Sequence, residues 1–325
     1  MGNRSHIGTF DNQPLQGNYQ GNLADICPVG ALTLKDFRFQ ARVWNTHSVP
    51  STCTRCSRGC AVMVDAYRGR LVRIRPRYDA KVNRSWMCDF GRFQLQDLNL
   101  PGRLSGAIQE QQQGLRELPL EQALETAAEN LRAEASQSFL LASNYATLEV
   151  GQALMELAKS LQTEAYFLKP SAWGGDGILR TDDPGPNSFG LQELGLKALA
   201  PDQARERLAA AEASLLVGEK LLPLLLQQDP TAGSTLPPID TGRTAILVDT
   251  HLRSGFALTL PGLTWAETQG RVKNLDGHTR ILRPALPGPD GVPQTHDLVQ
   301  SLCARVRRDP DAHSTPNLQP SGMPV

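Results

Sequence analysis

The feature that most constrains this chain is a group of four cysteines, three close together and one distant. They follow C-x2-C-x3-C spacing and then a gap of 27 residues: Cys53, Cys56, Cys60 and Cys88. Four thiolates with this spacing suit a [4Fe–4S] cluster, in which each cysteine binds one iron. Gly59 lets the backbone bend closely around such a centre, and Arg55 and Arg58 place positive charge beside it.

The spacing of the four cysteines also allows two other interpretations. A structural zinc ion is also held by four cysteines, but zinc ribbons prefer two C-x2-C pairs, and the second half here offers one cysteine. The thiols can also be free. A disulfide framework is the weakest alternative, because a chain of 325 residues with 6 cysteines and no secretory signal is not typical of one.

Composition limits the classes of partner. Lys plus Arg balances Asp plus Glu, 33 against 33, and aromatic residues make up 6% of the chain, so we expect no nucleic-acid binding. No apolar stretch is long enough to cross a bilayer, so we expect no membrane span. A cytoplasmic protein or a soluble subunit of a larger complex is predicted.

The remaining pattern predicts an α/β fold with a parallel sheet. A hairpin is predicted around Arg68 and Gly69, and a short helix over residues 89–98. Residues 99–118 read as a linker with a weak strand. After position 118, short apolar strands alternate with amphipathic helices over residues 119–135, after Thr147 and over 295–308, which is typical of a sheet covered on both sides.

Several features have no assigned chemistry. Residues 173–190 are rich in Gly, Pro and Asp and are predicted to form a long loop that holds a ligand or a neighbouring protein. Cys303 lies on the apolar face of the last helix and is predicted to be a core thiol. No catalytic group of residues is evident.

Cys27 is a separate candidate. It stands in the stretch Cys27, Pro28, Val29, Gly30 and Ala31, and a Cys-Pro followed by small residues is how a ferredoxin-type site presents its last ligand. Such a ligand needs three companions from a C-x2-C-x2-C run, and no such run precedes it. A partly buried, unligated thiol is the alternative.

Several motifs resemble one family. The cysteine spacing and the segment 88–93 are similar to the iron–sulfur domain of the molybdopterin oxidoreductase superfamily. The surroundings resemble the large iron–sulfur subunit (the G subunit) of bacterial NADH–quinone oxidoreductase, which is respiratory complex I. The segments that carry this second resemblance are residues 22–33, 38–44, 179–182, 186–190, 266–270 and 274–277.

The resemblance implies site residues and partners. Cys53, Cys56, Cys60 and Cys88 would bind one [4Fe–4S] cluster, and Cys27 would match the last ligand of a second cluster on the main electron path. Compared with the family, we expect an amino-terminally truncated and shortened form. The second cluster would therefore either be completed by a separate chain with ferredoxin-like cluster domains, or its site would be vestigial. Other soluble-arm subunits of complex I are the expected partners, at the inner side of the cytoplasmic membrane.

The predicted layout has four parts. An amino-terminal arm with a ferredoxin-like remnant covers residues 1–46, a [4Fe–4S] domain 47–103, an abbreviated molybdopterin-oxidoreductase-like α/β region 104–307, and a disordered tail 308–325. The predicted function is that of an iron–sulfur electron-transfer and scaffold subunit of an oxidoreductase. The alternatives are a non-redox docking subunit with a metal-pinned domain and a molybdopterin enzyme such as a formate dehydrogenase. The last is disfavoured because Phe90 stands where those enzymes have Lys or Arg, and because no cysteine lies between Cys88 and Cys303.

Overall fold

Three β-sheets organise the part of the chain that the structure describes. The computed structural model describes residues 8–95, 99, 101–111, 114–228, 239–241 and 244–308, so the predicted tail lies outside this part from residue 309 onward. The strands are β1 His47–Thr52, β2 Ala61–Tyr67, β3 Arg70–Pro76, β4 Ala107–Gln111, β5 Gly114–Leu118, β6 Ser138–Ala142, β7 Ala165–Leu168, β8 Lys197–Leu199, β9 Ala213–Val217, β10 Thr244–Asp249, β11 Leu258–Pro261, β12 Gly270–Lys273 and β13 Thr279–Leu282. The helices are α1 Gly21–Ile26, α2 Asp89–Arg92, α3 Leu120–Ala133, α4 Leu148–Leu161, α5 Ser188–Glu193, α6 Pro201–Ala210, α7 Leu221–Leu225 and α8 Thr295–Val306.

The large sheet confirms the predicted fold class. Its strand order is β5-β4-β11-β10-β9-β6-β7-β8, and the six strands from β11 to β8 pair in parallel. The chain runs outward from β6 through β7 to β8, then returns to the other side of β6 with β9. The order therefore reverses between β6 and β9, as in doubly wound α/β folds.

The central strands are apolar on both faces because helices cover both. In β9 every residue is buried, and Leu215 packs into one core while its neighbour Leu216 packs into the other. Helices α3, α4 and α8 supply the first core, and α6 and α7 supply the second. Cys303 is buried in the first core, which confirms it as a core thiol.

Helix α4 begins where the sequence predicted. The Thr147 side-chain oxygen accepts a hydrogen bond from the Val150 amide at 3.3 Å, which caps the helix amino terminus. Helix α3 begins directly after Pro119, a position where proline needs no amide partner.

Two sequence predictions were wrong in detail. Residues 107–111 and 114–118 form two antiparallel strands, β4 and β5, at the edge of the large sheet, rather than a linker with a weak strand. Strand β5 is exposed at four of its five positions, so it lacks the apolar alternation that reveals a strand. The helix after Cys88 ends at Arg92, so it is shorter than predicted; residues 96–98 of the predicted range lie outside the described residues.

The small sheet β1-β2-β3 confirms the predicted hairpin. Its turn consists of Arg68 and Gly69, both with positive φ. Asp65 on β2 is fully buried, and its Oδ2 accepts hydrogen bonds from Nε of Arg73 at 2.7 Å and of Arg75 at 3.0 Å on β3. Arg73 and Arg75 therefore stabilise the hairpin by binding the buried carboxylate of Asp65.

Among the described residues, no helix is long and apolar enough to cross a membrane.

Replacing Asp65 with Asn should destabilise the small sheet by about 2–3 kcal/mol, because two arginines would lose their carboxylate. Burial alone raises the pKa of the Asp65 carboxyl, but hydrogen bonds from Arg75, Ser48 and Arg73 hold it below its usual value. A lowered folded-state pKa means that this stabilisation is present at neutral pH and is lost as pH falls through the folded-state pKa. Urea unfolding at neutral and acidic pH should show Asp65→Asn least harmful at low pH.

Glu156→Gln is the matched control. It removes a carboxylate from a pair with Arg307 in which both side chains are more than half exposed, so it should cost under about 1 kcal/mol. Equal losses in the two variants would contradict the account of Asp65.

Candidate metal centre

The first three cysteines lie in the loop that joins β1 to β2. Cys53 directly follows β1 and Cys60 directly precedes β2, and the Cys53 amide donates a hydrogen bond to the Cys60 carbonyl at 2.8 Å. The antiparallel pairing of the two strands thus closes the loop. Cys88 comes from outside this sheet and stands immediately before α2. All four cysteines are buried, each with 5% of its surface exposed.

A glycine in α2 leaves room for the sulfurs of both Cys53 and Cys88. A Cβ atom placed on Gly91 would lie 2.8 Å from Cys53 Sγ and 3.7 Å from Cys88 Sγ. The 2.8 Å separation is below any normal contact, so the backbone here approaches the sulfurs as closely as only glycine permits. The site therefore has the close backbone approach that an iron–sulfur cluster requires.

The thiols affect each other electrostatically. Burial raises the pKa of the Cys88 thiol to about 11, and the neighbouring Cys56 adds to the effect. Burial likewise raises the pKa of Cys53 and Cys60, and both respond to the charges of the other site sulfurs. Four thiolates cannot collect here without compensating positive charge, so the donor set fits a cationic iron centre.

The arrangement differs from a site for one metal ion. Within the described ranges, no three His, Cys, Asp or Glu side chains converge closely enough to hold a single ion. In a [4Fe–4S] cluster each sulfur meets a different iron, so its four ligands surround a larger volume.

A polar side chain also faces the site. Gln94 is buried, and its Nε2 donates to Cys53 Sγ at 3.8 Å. Hydrogen bonds to cluster sulfurs are one of the means by which proteins tune reduction potential.

The loop of residues 173–187 covers the cysteine loop. The Ser57 amide donates to the Asp183 carbonyl at 3.0 Å, the Ser57 hydroxyl lies 2.9 Å from that of Thr181, and Arg58 Nε donates to the Leu179 carbonyl at 3.3 Å. The sequence predicted this loop but not that it packs on the cysteines of its own chain.

The β12–β13 hairpin covers another side. The Leu275 amide donates to the Ser57 carbonyl at 2.9 Å, and Asn274 Nδ2 donates to the Arg58 carbonyl at 3.1 Å. Gly59 has a φ of +62°, and a Cβ there would lie 3.2 Å from the side chains of Asn274 and Arg280. The segment 274–277, which carries part of the family resemblance, thus packs on the cysteine loop.

The amino-terminal segment holds the region around Cys88. Buried Asn22 exchanges two hydrogen bonds with the Met87 backbone, at 2.7 and 3.1 Å. Arg92 Nη2 donates to Asp25 Oδ2 at 2.6 Å, and the carboxylate of Asp89 accepts from the amides of residues 20 and 21. Residues 19–25 are therefore part of the same packed unit as Cys88.

An aromatic and cationic group lies beside Cys88. The Phe90 ring centroid is 4.4 Å from the guanidinium carbon of Arg55 and 4.3 Å from that of Arg180. Trp173 meets Phe90 edge-on at 5.3 Å. Phe90 is thus an aromatic ring packed against two arginines from other parts of the chain.

Cys27 has a different environment from the other four. It ends α1, is partly exposed, and its Sγ accepts a hydrogen bond from the Leu32 amide at 3.4 Å. This bond, with the nearby amides of Val29, Ala31 and Gly30, lowers the pKa of the Cys27 thiol. Amides directed at a sulfur stabilise a thiolate, and so favour a metal ligand or a reactive thiol.

Some residues of this site were named in the sequence without a role. Gly91 and Arg92 belong to the segment 88–93, and Arg180 to the segment 179–182, both of which carry the family resemblance. Gln94 and Trp173 were missed, because nothing in their local pattern relates them to residues more than 40 positions away.

Two family models match the chain. Residues 46–100 match the molybdopterin oxidoreductase Fe4S4 domain, and residues 1–33 match the ferredoxin-like domain of NADH-quinone oxidoreductase subunit 3. The first match contains all four clustered cysteines and the second contains Cys27. Residues 46–100 are thus similar to the iron–sulfur domain of molybdopterin oxidoreductases.

Curated relatives show which proteins with such a domain the chain is similar to. The chain is 39% identical over 165 residues to NADH-quinone oxidoreductase subunit 3 of Thermus thermophilus, an alignment that covers 50% of this chain and 21% of that protein. It is 34% identical over 154 residues to the G subunit of the Streptomyces coelicolor NADH-quinone oxidoreductase, covering 47% and 18%, and to that of Escherichia coli, covering 47% and 17%. The predicted resemblance is confirmed: about half of this chain is related to about a fifth of the G or 3 subunit of bacterial NADH-quinone oxidoreductases.

Replacing Gly91 with Ala should abolish metal binding while leaving the large sheet folded. Alanine favours a helix over glycine by about 1 kcal/mol, so a purely local effect would stabilise the protein. The new methyl group would instead displace Cys53 Sγ. Iron content and far-ultraviolet circular dichroism should report loss of iron with retained secondary structure, and full iron in Gly91→Ala would refute the close packing at this site.

Proposed function

We propose that this chain is an iron–sulfur electron-transfer and scaffold subunit of a complex I-like NADH:quinone oxidoreductase. In this proposal Cys53, Cys56, Cys60 and Cys88 hold one [4Fe–4S] cluster. The observation that carries the proposal is the burial of all four thiols, with the sulfurs of Cys53 and Cys88 both beside Gly91, within the segment that matches the Fe4S4 domain. A bound cluster of this type accepts and releases one electron at a time.

The residues of the chain have separate tasks in this proposal. The four thiolates bind the iron, and Gly91 admits them to the same volume. The covering loop and the β12–β13 hairpin exclude water from the site. Gln94 donates to the Cys53 sulfur. The α/β unit supplies the platform from which both covering segments extend.

The complex is proposed from the relatives. Proteins called NADH-quinone oxidoreductase subunits share half of this chain, so we infer that it assembles with other soluble-arm subunits at the inner face of the cytoplasmic membrane. The partners would supply the NADH and quinone sites.

A structural role for the same centre is the second candidate. Three segments remote in sequence converge on the cysteine loop and on Cys88, so a bound cluster would also fix the relative positions of these segments. A measurable reduction potential with reversible reduction separates the electron-transfer role from this one.

A molybdopterin enzyme is disfavoured by the space available. The cavity at the strand-order reversal between β6 and β9, lined by residues that include Tyr145, Gly218 and Trp265, has a volume of about 30 Å³. Cofactor pockets are typically several hundred Å³.

Replacing Cys56 with Ser should remove the cluster, because a [4Fe–4S] centre needs all four thiolates. The protein purified without oxygen should contain about four irons and four sulfides per chain and show a paramagnetic signal after reduction by dithionite. Cys303→Ser is the matched control, since Cys303 is equally buried but lies in the core between helices and sheet. A wild-type protein that is folded and contains zinc in place of iron would reject the electron-transfer proposal.

A second cluster is proposed at Cys27, with three further thiolates from outside this chain. The directed amides and partial exposure of its sulfur support this role. Cys27→Ser should leave the iron content of the chain alone unchanged. It should prevent the gain of about four further irons when a ferredoxin-like domain with three suitably spaced cysteines is added before cluster reconstitution. An equal iron gain in wild type and Cys27→Ser would show that Cys27 is not a ligand.

A further inference from the structure

We propose that a groove beside the β2–β3 hairpin binds an acidic segment of a protein partner. This basic groove is lined by the end of the hairpin, by side chains from residues 35–40, and by Phe93, Leu95 and Asn99. Its volume is about 700 Å³, a size typical of a binding site. The inference goes beyond the proposed function, which assigns no surface of this chain to a partner.

The part of the chain that forms the basic groove is far more positive than the whole. Lys plus Arg balances Asp plus Glu over the full sequence, 33 against 33, whereas residues 35–84 contain twelve Lys or Arg and three Asp. The rest of the sequence therefore carries an equal excess of negative charge. A charge asymmetry of this kind favours association with a negatively charged partner on the basic part.

Three of these cations line the basic groove together. Lys35 comes from one side, while Arg68 and Arg70 stand at the end of the hairpin, where Arg68 and Gly69 form a two-residue turn. All three cations are exposed, and with the described part of the chain none of them forms an ion pair. One carboxylate, that of Asp36, lines the groove with them. An acidic ligand would supply the missing negative charge.

Part of the lining of the basic groove is apolar. Leu71, Val72, Phe93 and Leu95 contribute to it, and Phe93 is 40% exposed. Asn99 fixes this part of the lining, because its Oδ1 accepts a hydrogen bond from the Leu71 amide at 3.2 Å and its Nδ2 donates to the Leu71 carbonyl at 3.0 Å. A ligand that matches the groove therefore carries apolar groups as well as acidic ones, and an inorganic anion alone does not match it.

The segment on one side of the basic groove continues into exposed aromatic residues. Phe39 directly precedes Gln40, which lines the groove, and is 90% exposed; Trp44 is 79% exposed. The guanidinium carbon of Arg38 lies 4.8 Å from the centroid of the Phe39 ring, and that of Arg42 lies 6.0 Å from the centroid of the Trp44 ring. Aromatic residues and arginine are enriched in protein–protein interfaces. Because each ring already carries an arginine, the pattern favours a protein partner over stacked nucleic-acid bases.

The basic groove lies next to residues that pack on the cysteines. Leu95, which lines the groove, also packs against the apolar core that contains Cys53 and Cys60. Its neighbour Gln94 donates to Cys53 Sγ at 3.8 Å. A partner seated in the groove would therefore contact side chains that themselves contact the cysteine loop.

The test measures, by fluorescence anisotropy, the binding of the purified full chain to a fluorescein-labelled peptide of Glu and Leu in equal number. The groove variant combines three substitutions: Lys35→Gln, Arg68→Gln and Arg70→Gln. The matched control removes three exposed cations that do not line the groove: Arg77→Gln, Lys81→Gln and Arg84→Gln. The groove variant should bind the peptide about tenfold more weakly than the wild type, because three charge pairs are lost. The control loses the same net charge and should bind less than about threefold more weakly.

A second peptide tests the apolar part of the lining without changing the protein. A peptide with Ser in place of Leu keeps every carboxylate, and it should bind the wild type more weakly because the apolar contact is lost. All six substituted cations are exposed, so circular dichroism of both variants should match that of the wild type.

Four results would overturn the proposal. They are a wild type that does not bind the Glu–Leu peptide, equal losses in the groove variant and its control, equal binding of the Leu and Ser peptides, and self-association of the wild type that the groove variant lacks, which would make a second copy of the chain the occupant. Tighter binding of a single-stranded oligothymidylate, lost in the groove variant, would likewise replace the protein partner with a nucleic acid. None of these readouts depends on iron, so failure of the proposed cluster and failure of this inference are distinguishable.

Discussion

The burial of the cysteine loop by segments far away in sequence is the constraint on which the rest of the structure depends. Four thiols with 5% exposure need cover on every side, and one three-stranded sheet cannot supply it. The loop after β7 and the hairpin near the carboxyl end both form backbone hydrogen bonds with Ser57. Trp265 and Ala266 complete the apolar core around Cys53 and Cys60. The small sheet and the α/β unit are thus one packed structure around the site.

The chain contains two kinds of cysteine environment. The four clustered thiols are shielded from solvent, and this burial raises the pKa of Cys53, Cys60 and Cys88. Their thiolates are therefore good ligands only where a metal such as iron compensates their charge. Cys27 is partly exposed, and backbone amides lower its pKa. The first environment gathers four buried thiols of this chain, whereas the second contains one partly exposed thiol. This difference agrees with a chain that holds one centre by itself and contributes one ligand to another.

The α/β unit has the architecture of a ligand-binding fold, but among its described residues the cavity at the strand-order reversal is small. Doubly wound sheets bind ligands where the strand order reverses. Here buried side chains, among them Tyr145 and Trp265, leave only about 30 Å³ at that point. The unit instead extends loops from the carboxyl ends of its strands to the cysteine loop. The α/β unit therefore positions and covers the four cysteines.

The sequence by itself determined the local elements and the donor set. The cysteine spacing singled out the four candidate ligands, alternation predicted the β2–β3 hairpin, and apolar periodicity predicted α3, α4, α8 and the parallel strands. These last signals depend on residues within one turn or strand of each other. It did not reveal the exposed edge strand β5, whose pairing with β4 rather than its composition makes it a strand. Only the tertiary structure decided which cations pack on Phe90, two residues after Cys88. Arg180 reaches this ring across 90 positions of chain and Arg55 comes from the cysteine loop, whereas Arg58 of the same loop is paired with Asp276. Electrostatic influence falls with distance in space and with solvent exposure, and neither quantity can be read from separation along a sequence.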